Sequence, residues 1–558
     1  MGEAKLKPSV HLEARAGPRP GSGSAGGTAL LVPASHLCWL CLVAAALGLM
    51  TASPVLVSMR GAASRPEAIT LPAAPSAPPP RHLELPWEPL LTLEEQRRGI
   101  SYFGSGRALH RVATKLLAGQ PIKAYALGGS ITGGGGSSTG QKAYVPRFFQ
   151  FIRHNFPHEA HVLENKGIAA STAFMYAACL QHHVPEDADL VTLEFTMNEA
   201  ANSPYQSPER RSFEQLLRRL LSRKHQPAVL ILHSYGWWNA FGDGVDRGLF
   251  YQQPELQLTA FSHFYDIPAL SVRAAAHHLM AASVDKFKVH RITITNRQHL
   301  FIENGALRAG MIPVVSKSAR SSVYFADHIH PADPGHQVLA ELLAGALSQA
   351  VWEVSANGTL TESERRHDPA VPALPGPMIP FNTDDMPGMC AMLEEFKPVV
   401  KKTSGFDYVP ERPDAENFMK QKWGWRATEP GSWAELEVDS RASDGSKSSN
   451  TYVWLSHLRS YRGMGTARIE CVSGCSCSPT RLDGTWERKA SLFTITRFHV
   501  TRHKRCRFRV TVLERPGEVP QQGHKVVLVA VMVTHVPLDS GGSLMNVQNI
   551  GLSLDRGF

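Results

Sequence analysis

Between residues 104 and 351 the chain alternates short apolar runs with amphipathic ones. Ile122, Ala124 and Ala126 alternate with Tyr125 and Leu127, which predicts a buried strand that stops abruptly at Gly128-Gly129-Ser130. Ahead of it, the spacing of Leu109, Val112, Leu116 and Leu117 predicts a helix within 104–119, ended by Gly119. After it, Phe148, Phe149, Phe151 and Ile152 predict a helix over 145–155. The same reading gives a strand over 161–165, a small-residue helix over 169–180, a strand over 190–195, a basic amphipathic helix over 213–223 and a strand over 228–232. Helices over 271–282 and 338–351 follow. Strands that alternate with helices imply βαβ units, hence an α/β fold: a three-layer α/β/α domain with a mostly parallel sheet, over 91–354.

The texture differs on either side. Residues 355–425 are Pro-rich and poorly periodic and read as a linker, whereas 426–558 carry short alternating runs, such as Arg507-Phe-Arg-Val-Thr-Val and Val526-Val-Leu-Val, that predict a β-sandwich-like domain. At the other end, 1–36 is Gly/Ala/Pro/Ser-rich and reads as a disordered tail. Residues 37–59 contain no charge, and as a helix would span roughly 35 Å, enough to cross a bilayer. Thr51-Ala52-Ser53 is similar to a signal-cleavage site, but the preceding segment is long for a signal peptide. Lysines and arginines concentrated before the span favour an uncleaved signal anchor with a cytoplasmic N-terminus, over secretion after cleavage. Residues 60–90 then read as a Pro-rich stem. The expectation is a single-pass type II membrane protein of the secretory pathway, in the Golgi lumen or at the cell surface.

Composition adds limits. The formal net charge is +9, but the basic residues are scattered and not interleaved with aromatics, so nucleic-acid binding is not expected. Of the 8 cysteines, Cys390, Cys471, Cys475, Cys477 and Cys506 fall in the last third. The spacings within Cys471-Val-Ser-Gly-Cys475-Ser-Cys477 do not suit a zinc site, so disulfides are expected and no metal. Cys506 and Cys390 are candidate partners for that cluster, with connectivity left open, and Cys179 stands alone. Asn357-Gly-Thr359 is a glycosylation acceptor if this side is luminal.

The chemistry gathers at strand ends. Ser130 sits at the carboxyl end of a strand, where open α/β sheets place ligands, and a serine there becomes a nucleophile if an imidazole reaches it. Asp327-His328-Ile329-His330-Pro331 supplies one. The three-residue offset suits Asp327 as orienter and His330 as base, with His328 the rival. The Ser130 amide, the Gly167 amide and the Asn198 carboxamide are candidate oxyanion donors, because all three positions end strands on one sheet edge. His336 reads as a helix-start residue, and His182 and His183 as a solvated pair. Ser130, Gly167 and Asn198 taken singly could each be ordinary turn residues.

Taken in order, Gly-Gly-Ser130, Asn-Lys-Gly167, Met-Asn198-Glu199 and Asp327-His-Ile-His330-Pro resemble the four blocks of the SGNH/GDSL hydrolase superfamily, over about residues 105–350. The resemblance implies a serine esterase without cofactor: Ser130 as nucleophile, Asp327 and His330 as orienter and base, Gly167 and Asn198 completing the oxyanion hole. Two departures stand out. Gly129 replaces the usual Asp, and Met-Asn-Glu replaces Gly-x-Asn-Asp. The implied substrate is an O-acetyl ester on carbohydrate, or a small ester. The alternatives are an O-acyltransferase acting on polysaccharide, and a carbohydrate-binding membrane protein with a non-catalytic hydrolase fold.

Overall fold

The strand at 123–128 emerges buried on both faces, as its apolar alternation requires. In the computed structural model, residues 82–169, 171–199, 203–237, 254–289, 323–326, 330–356, 374–382, 389–411, 423–441, 451–487 and 491–534 are described, with the short pieces 302–303, 306–307, 413–414 and 421. The anchor expected at 37–59, most of the stem, Asn357 and the pair Asp327 and His328 lie outside the described residues.

The first elements are α1 (Leu93–Gly99), β1 (Ile100–Tyr102), α2 (Arg107–Leu117), β2 (Lys123–Gly128), α3 (Tyr144–Asn155), β3 (Val162–Asn165), α4 (Ala173–Ala178) and β4 (Leu190–Glu194). They continue with α5 (Pro208–Leu221), β5 (Ala228–His233), α6 (Glu255–Tyr265), β6 (Ala269–Ser271), α7 (Val272–Ala281), a small hairpin of β7 (Ile302–Glu303) and β8 (Ala306–Leu307), and α8 (Asp333–Ala356). The main sheet has the order β1-β6-β5-β4-β2-β3. All neighbours are parallel except the edge strand β1, which runs antiparallel to β6. Alternate side chains of β2 feed opposite cores. Ala124 and Ala126 pack with α2, α3, α7 and α8, and Tyr125 and Leu127 pack with α4, α5 and α6. This is the three-layer arrangement expected of strands covered on both faces. β6 was too short, and α6 too weakly periodic, to be legible beforehand.

α8 is long and apolar enough to cross a membrane by composition, yet most of its apolar window is buried. Its side chains pack in the core against those of α2 and α3. Residues 82–90 also differ from the expected stem. Leu83, Leu85, Trp87 and Leu90 lie against the core, and the Glu341 carboxylate of α8 accepts from the Leu90 and Leu91 amides at 2.9 and 2.8 Å. The prolines in 60–90 masked this apolar spacing.

The β-rich region begins inside the segment expected to be a linker. β9 (Met389–Met392), β10 (Val400–Ser404), β11 (Asp407–Pro410) and β12 (Trp423–Ala427) precede β13 (Trp433–Val438), β14 (Thr451–Arg459), β15 (Thr466–Ser473), β16 (Thr480–Asp483), β17 (Leu492–Val500), β18 (Cys506–Leu513) and β19 (Val526–Thr534). One antiparallel sheet has the order β10-β13-β18-β15-β16; the other has β11-β12-β19-β14-β17, with β9 also on β19. Phe508, Val510 and Val512 of β18 meet Val453, Leu455, Val531 and Val533 between the sheets, as period-2 alternation dictates. The early strands have only four or five residues and lack clean alternation, so they read as irregular in sequence.

All five cysteines expected in disulfides are bonded, and one partner differs from expectation. Cys179 is bonded to Cys390, 211 positions away, Cys471 to Cys477 and Cys475 to Cys506. Cys506 thus pairs with the 471–477 cluster as expected, whereas Cys390 pairs with Cys179 instead. Cys390 sits in β9, which faces the α/β layer, whereas Cys506 points between the two sheets of the β-rich region. Spacing along the chain carries no information on such long-range pairs. His182 and His183 are not a solvated pair either. His183 is buried against Tyr176, with ring centroids 4.7 Å apart, and burial pulls its pKa down to about 3. The His182 ring lies between the Cys390 carbonyl, 2.8 Å from Nε2, and Glu395, 3.0 Å from Nδ1.

Candidate active site

β2 ends at Gly128, and the chain turns at once. The Gly133 amide donates to the Gly129 carbonyl at 3.0 Å and the Gly135 amide to the Ser130 carbonyl at 2.7 Å, so Ser130 rides on a tight, self-bonded turn. Two hundred positions later the described residues on either side of 327–329 bond to one another. The Ala326 amide donates to the His330 carbonyl at 3.0 Å and the Ala332 amide to the Tyr324 carbonyl at 2.8 Å. This pairing places the His330 Nε2 atom 2.7 Å from Ser130 Oγ. That distance suits a serine hydroxyl donating to a neutral imidazole.

The glycines after Ser130 have a role that composition alone did not reveal. A Cβ at Gly135 would lie 2.8 Å from His330 Cδ2 and 2.9 Å from the Ser130 carbonyl; one at Gly136, where φ is +92°, would lie 2.8 Å from His330 Cβ. The glycine loop is thus a bed for His330, and side chains there would separate its ring from Ser130. The start of α8 clamps this bed. Asp333 accepts from the Ser138 amide at 2.7 Å, the Ser138 hydroxyl at 2.6 Å and Lys142 Nζ at 3.0 Å. His336, expected as a helix-start residue, is buried and does more. Its Nε2 donates to the Gly135 carbonyl at 2.9 Å and its Nδ1 accepts from the Tyr144 amide at 3.3 Å. Desolvation pulls its pKa down to about 4, which keeps the ring neutral as this donor–acceptor pattern requires.

The candidate oxyanion groups meet at the same edge. Asn198 closes the turn after β4, its amide bonded to the Phe195 carbonyl at 2.8 Å, and its side chain lies directly against Gly129. The replacement of Asp by glycine at 129 is therefore steric here: a Cβ would overlap the Asn198 carboxamide. The Gly167 amide is engaged with Asn165 Oδ1 at 2.9 Å, and Asn165 Nδ2 donates to the Thr132 carbonyl at 2.6 Å. Gly167 would have to exchange this partner to serve an oxyanion. The Glu199 carboxylate, which stands where the usual block carries Asp, accepts from the Ala173 amide at 3.0 Å and lies 3.6 Å from Arg210. Burial pushes its pKa up to about 7 against the pull of Arg210.

Sequence reasoning missed Glu194, although an acid in the apolar run 190–195 was a usable signal. It is fully buried beside the Ser130 turn and accepts from Ser234 Oγ at 2.6 Å and Thr132 Oγ1 at 3.2 Å; Thr132 Oγ1 also lies 2.8 Å from the Tyr144 hydroxyl. Burial raises its pKa to about 7, opposed by these hydrogen bonds and by His330 when that ring is charged. A raised folded-state pKa means stability that is complete below the unfolded pKa of about 4.5 and is lost as pH rises to about 7. Relative to Glu194→Gln, the wild-type protein is expected to lose on the order of 3 kcal/mol between pH 4 and pH 8. Thermal unfolding of both proteins across that range measures it. A difference that does not change with pH would show that Glu194 is not buried in its neutral form.

Residues 126–338 match the family model of the GDSL-like lipase/acylhydrolases. The matched segment begins in β2 and ends in α8, so this GDSL-like domain contains the Ser130 and His330 pair, and the chain is a carboxylic ester hydrolase by class. Among solved structures, a two-domain esterase (CEX) active on acetylated mannans, co-crystallised with mannopentaose, is similar, with 19% identity, a TM-score of 0.52, and coverage of 79% of this chain and 98% of that one. The same esterase without the mannopentaose matches with the same identity and TM-score, and with 99% of its chain covered. At this identity the likeness establishes the fold: the GDSL-like domain is followed by an antiparallel β-rich region, as in that esterase. A comparison with curated proteins found no match.

Proposed function

We propose that the protein removes acetyl groups from an O-acetylated carbohydrate by serine-ester chemistry. The approach of His330 Nε2 to within 2.7 Å of Ser130 Oγ carries the reading. Ser130 loses its proton to Nε2 as its oxygen attacks the ester carbonyl, while Asp327 holds the other imidazole nitrogen. The Ser130 amide and the Asn198 carboxamide, joined by Gly167 if it leaves Asn165, receive the tetrahedral oxyanion. The sugar hydroxyl departs with the proton from His330. Water, activated by the same ring, then attacks the acetyl-serine and releases acetate. Substrate class is drawn from the similar two-domain esterase, whose acetylated mannan substrate suits a luminal or extracellular enzyme held by an anchor at 37–59 and glycosylated at Asn357.

Acetate release from acetylated mannan, with and without deacetylated mannan as acceptor, tests this. Free acetate independent of acceptor is the expected result. Acetyl groups appearing on the acceptor instead would make the protein a transferase, and no acetyl loss in either arm would remove the carbohydrate substrate. Labelling with a fluorophosphonate, followed by peptide mapping, should place the adduct on Ser130.

A further inference from the structure

α4 has only six residues, too few to hold helical form without support from its surroundings. Its neighbours on one side are the parts of the acyl-transfer site. The Tyr176 hydroxyl lies 2.6 Å from the Lys166 carbonyl and 2.9 Å from the Gly128 carbonyl, and it accepts the Ile168 amide at 3.1 Å. One buried phenol thus holds the peptides on both sides of Gly167 and the residue two before Ser130. Ser171, just ahead of the helix, donates to the Ile168 carbonyl at 2.7 Å with the Gly128 carbonyl at 3.2 Å. The Ala173 amide is bonded to Glu199, the neighbour of Asn198.

On its other side α4 meets the β-rich region. The Phe174 ring packs on Trp454 of β14, centroids 5.6 Å apart, and Trp454 is itself held by its indole N–H, which donates to Thr534 Oγ1 at 2.9 Å. Directly after the helix, Cys179 is bonded to Cys390 of β9, and β9 pairs with β19. Phe174, Met175, Tyr176 and Trp454 belong to one continuous apolar core.

We propose that the β-rich region is a positioning scaffold for the acyl-transfer centre. Through Trp454 and Cys390 it fixes α4, and α4, through Tyr176 and Ser171, fixes the peptides that carry Ser130 and Gly167. This rests on Ser130 being the nucleophile. The scaffold acts on every ester, including one without a sugar. A region that only gripped carbohydrate would change KM for polysaccharide and leave a small ester untouched.

Turnover of 4-nitrophenyl acetate by the full chain separates the two. Trp454→Ala is expected to lower kcat roughly ten- to hundredfold, because small displacements of reacting groups are costly, with KM changed by less than about twofold. Trp454→Phe, which keeps a ring against Phe174, should restore most of the rate. A Cys179→Ser/Cys390→Ser variant should lower kcat in the same direction, and it decides the matter should Trp454→Ala fail to fold. Folded variants that keep kcat within about twofold of wild type, with Ser130→Ala inactive, overturn the scaffold and leave the nucleophile standing. A Ser130→Ala protein that still turns over overturns both.

Discussion

Ser130→Ala is expected to lower kcat for acetyl-ester hydrolysis by roughly three to six orders of magnitude, and His330→Ala by a similar factor. The two side chains act as one unit through their 2.7 Å contact, so the double variant should be little worse than either alone. Among the described residues, two neighbouring hydroxyls are already engaged. Ser171 is buried and committed to the Ile168 and Gly128 carbonyls, and Ser138 is held by Asp333 on the outer side of the glycine loop. Steady-state acetate release from acetylated mannan measures the effect. Additive losses in the double variant would mean that Ser130 and His330 serve separate steps, and a Ser130→Ala rate within about tenfold of wild type would exclude an acyl-serine route.

Gly129→Ala should cost about two to three orders of magnitude in kcat, the usual effect of losing one oxyanion donor, while the protein stays folded. The new methyl would collide with the Asn198 carboxamide. That group is the end of a flexible side chain and can swing aside cheaply, but swinging aside removes it from the oxyanion. Gly128→Ala offers the contrast. There the methyl meets Thr132 and the Glu194 backbone carbonyl, which cannot yield, so stability should fall as well. Paired measurements of kcat and melting temperature distinguish the cases. Full activity in Gly129→Ala would show that Asn198 has no part in catalysis.

Much of the α/β domain was legible because its signals are local. The two faces of β2 could be read from one alternation, and β4 and β5 from continuous apolar runs. Ser130, Gly167, Asn198 and His330 stood out as candidates because each follows or interrupts such a run in a recognisable order. The structure joins Ser130 to His330 and sets Asn198 against Gly129, but it also shows the Gly167 amide already bonded to Asn165. That bond depends on a side chain two residues away taking a particular rotamer, which no pattern records.

The roles that escaped notice share another character. Glu194, Tyr176 and His336 are polar groups whose bonds reach other segments of the chain: Ser234 and Thr132, Lys166 and Gly128, Gly135 and Tyr144. A buried polar atom must find a partner, but the chain does not say which one. The disulfides and the short strands β9 to β12 belong to the same class, since their positions depend on contacts up to 211 residues away.

The sequence by itself therefore determined most strands and helices of the α/β domain, the candidate nucleophile and base, and the presence of a second, β-rich part, because periodicity and turn chemistry act over a few residues. Only the tertiary structure decided that the glycine loop beds His330, that Gly129 makes room for Asn198, and that Cys179 ties α4 to the β-rich region. Those facts arise from close packing, where whether two groups touch depends on the whole chain's path and not on the residues beside them.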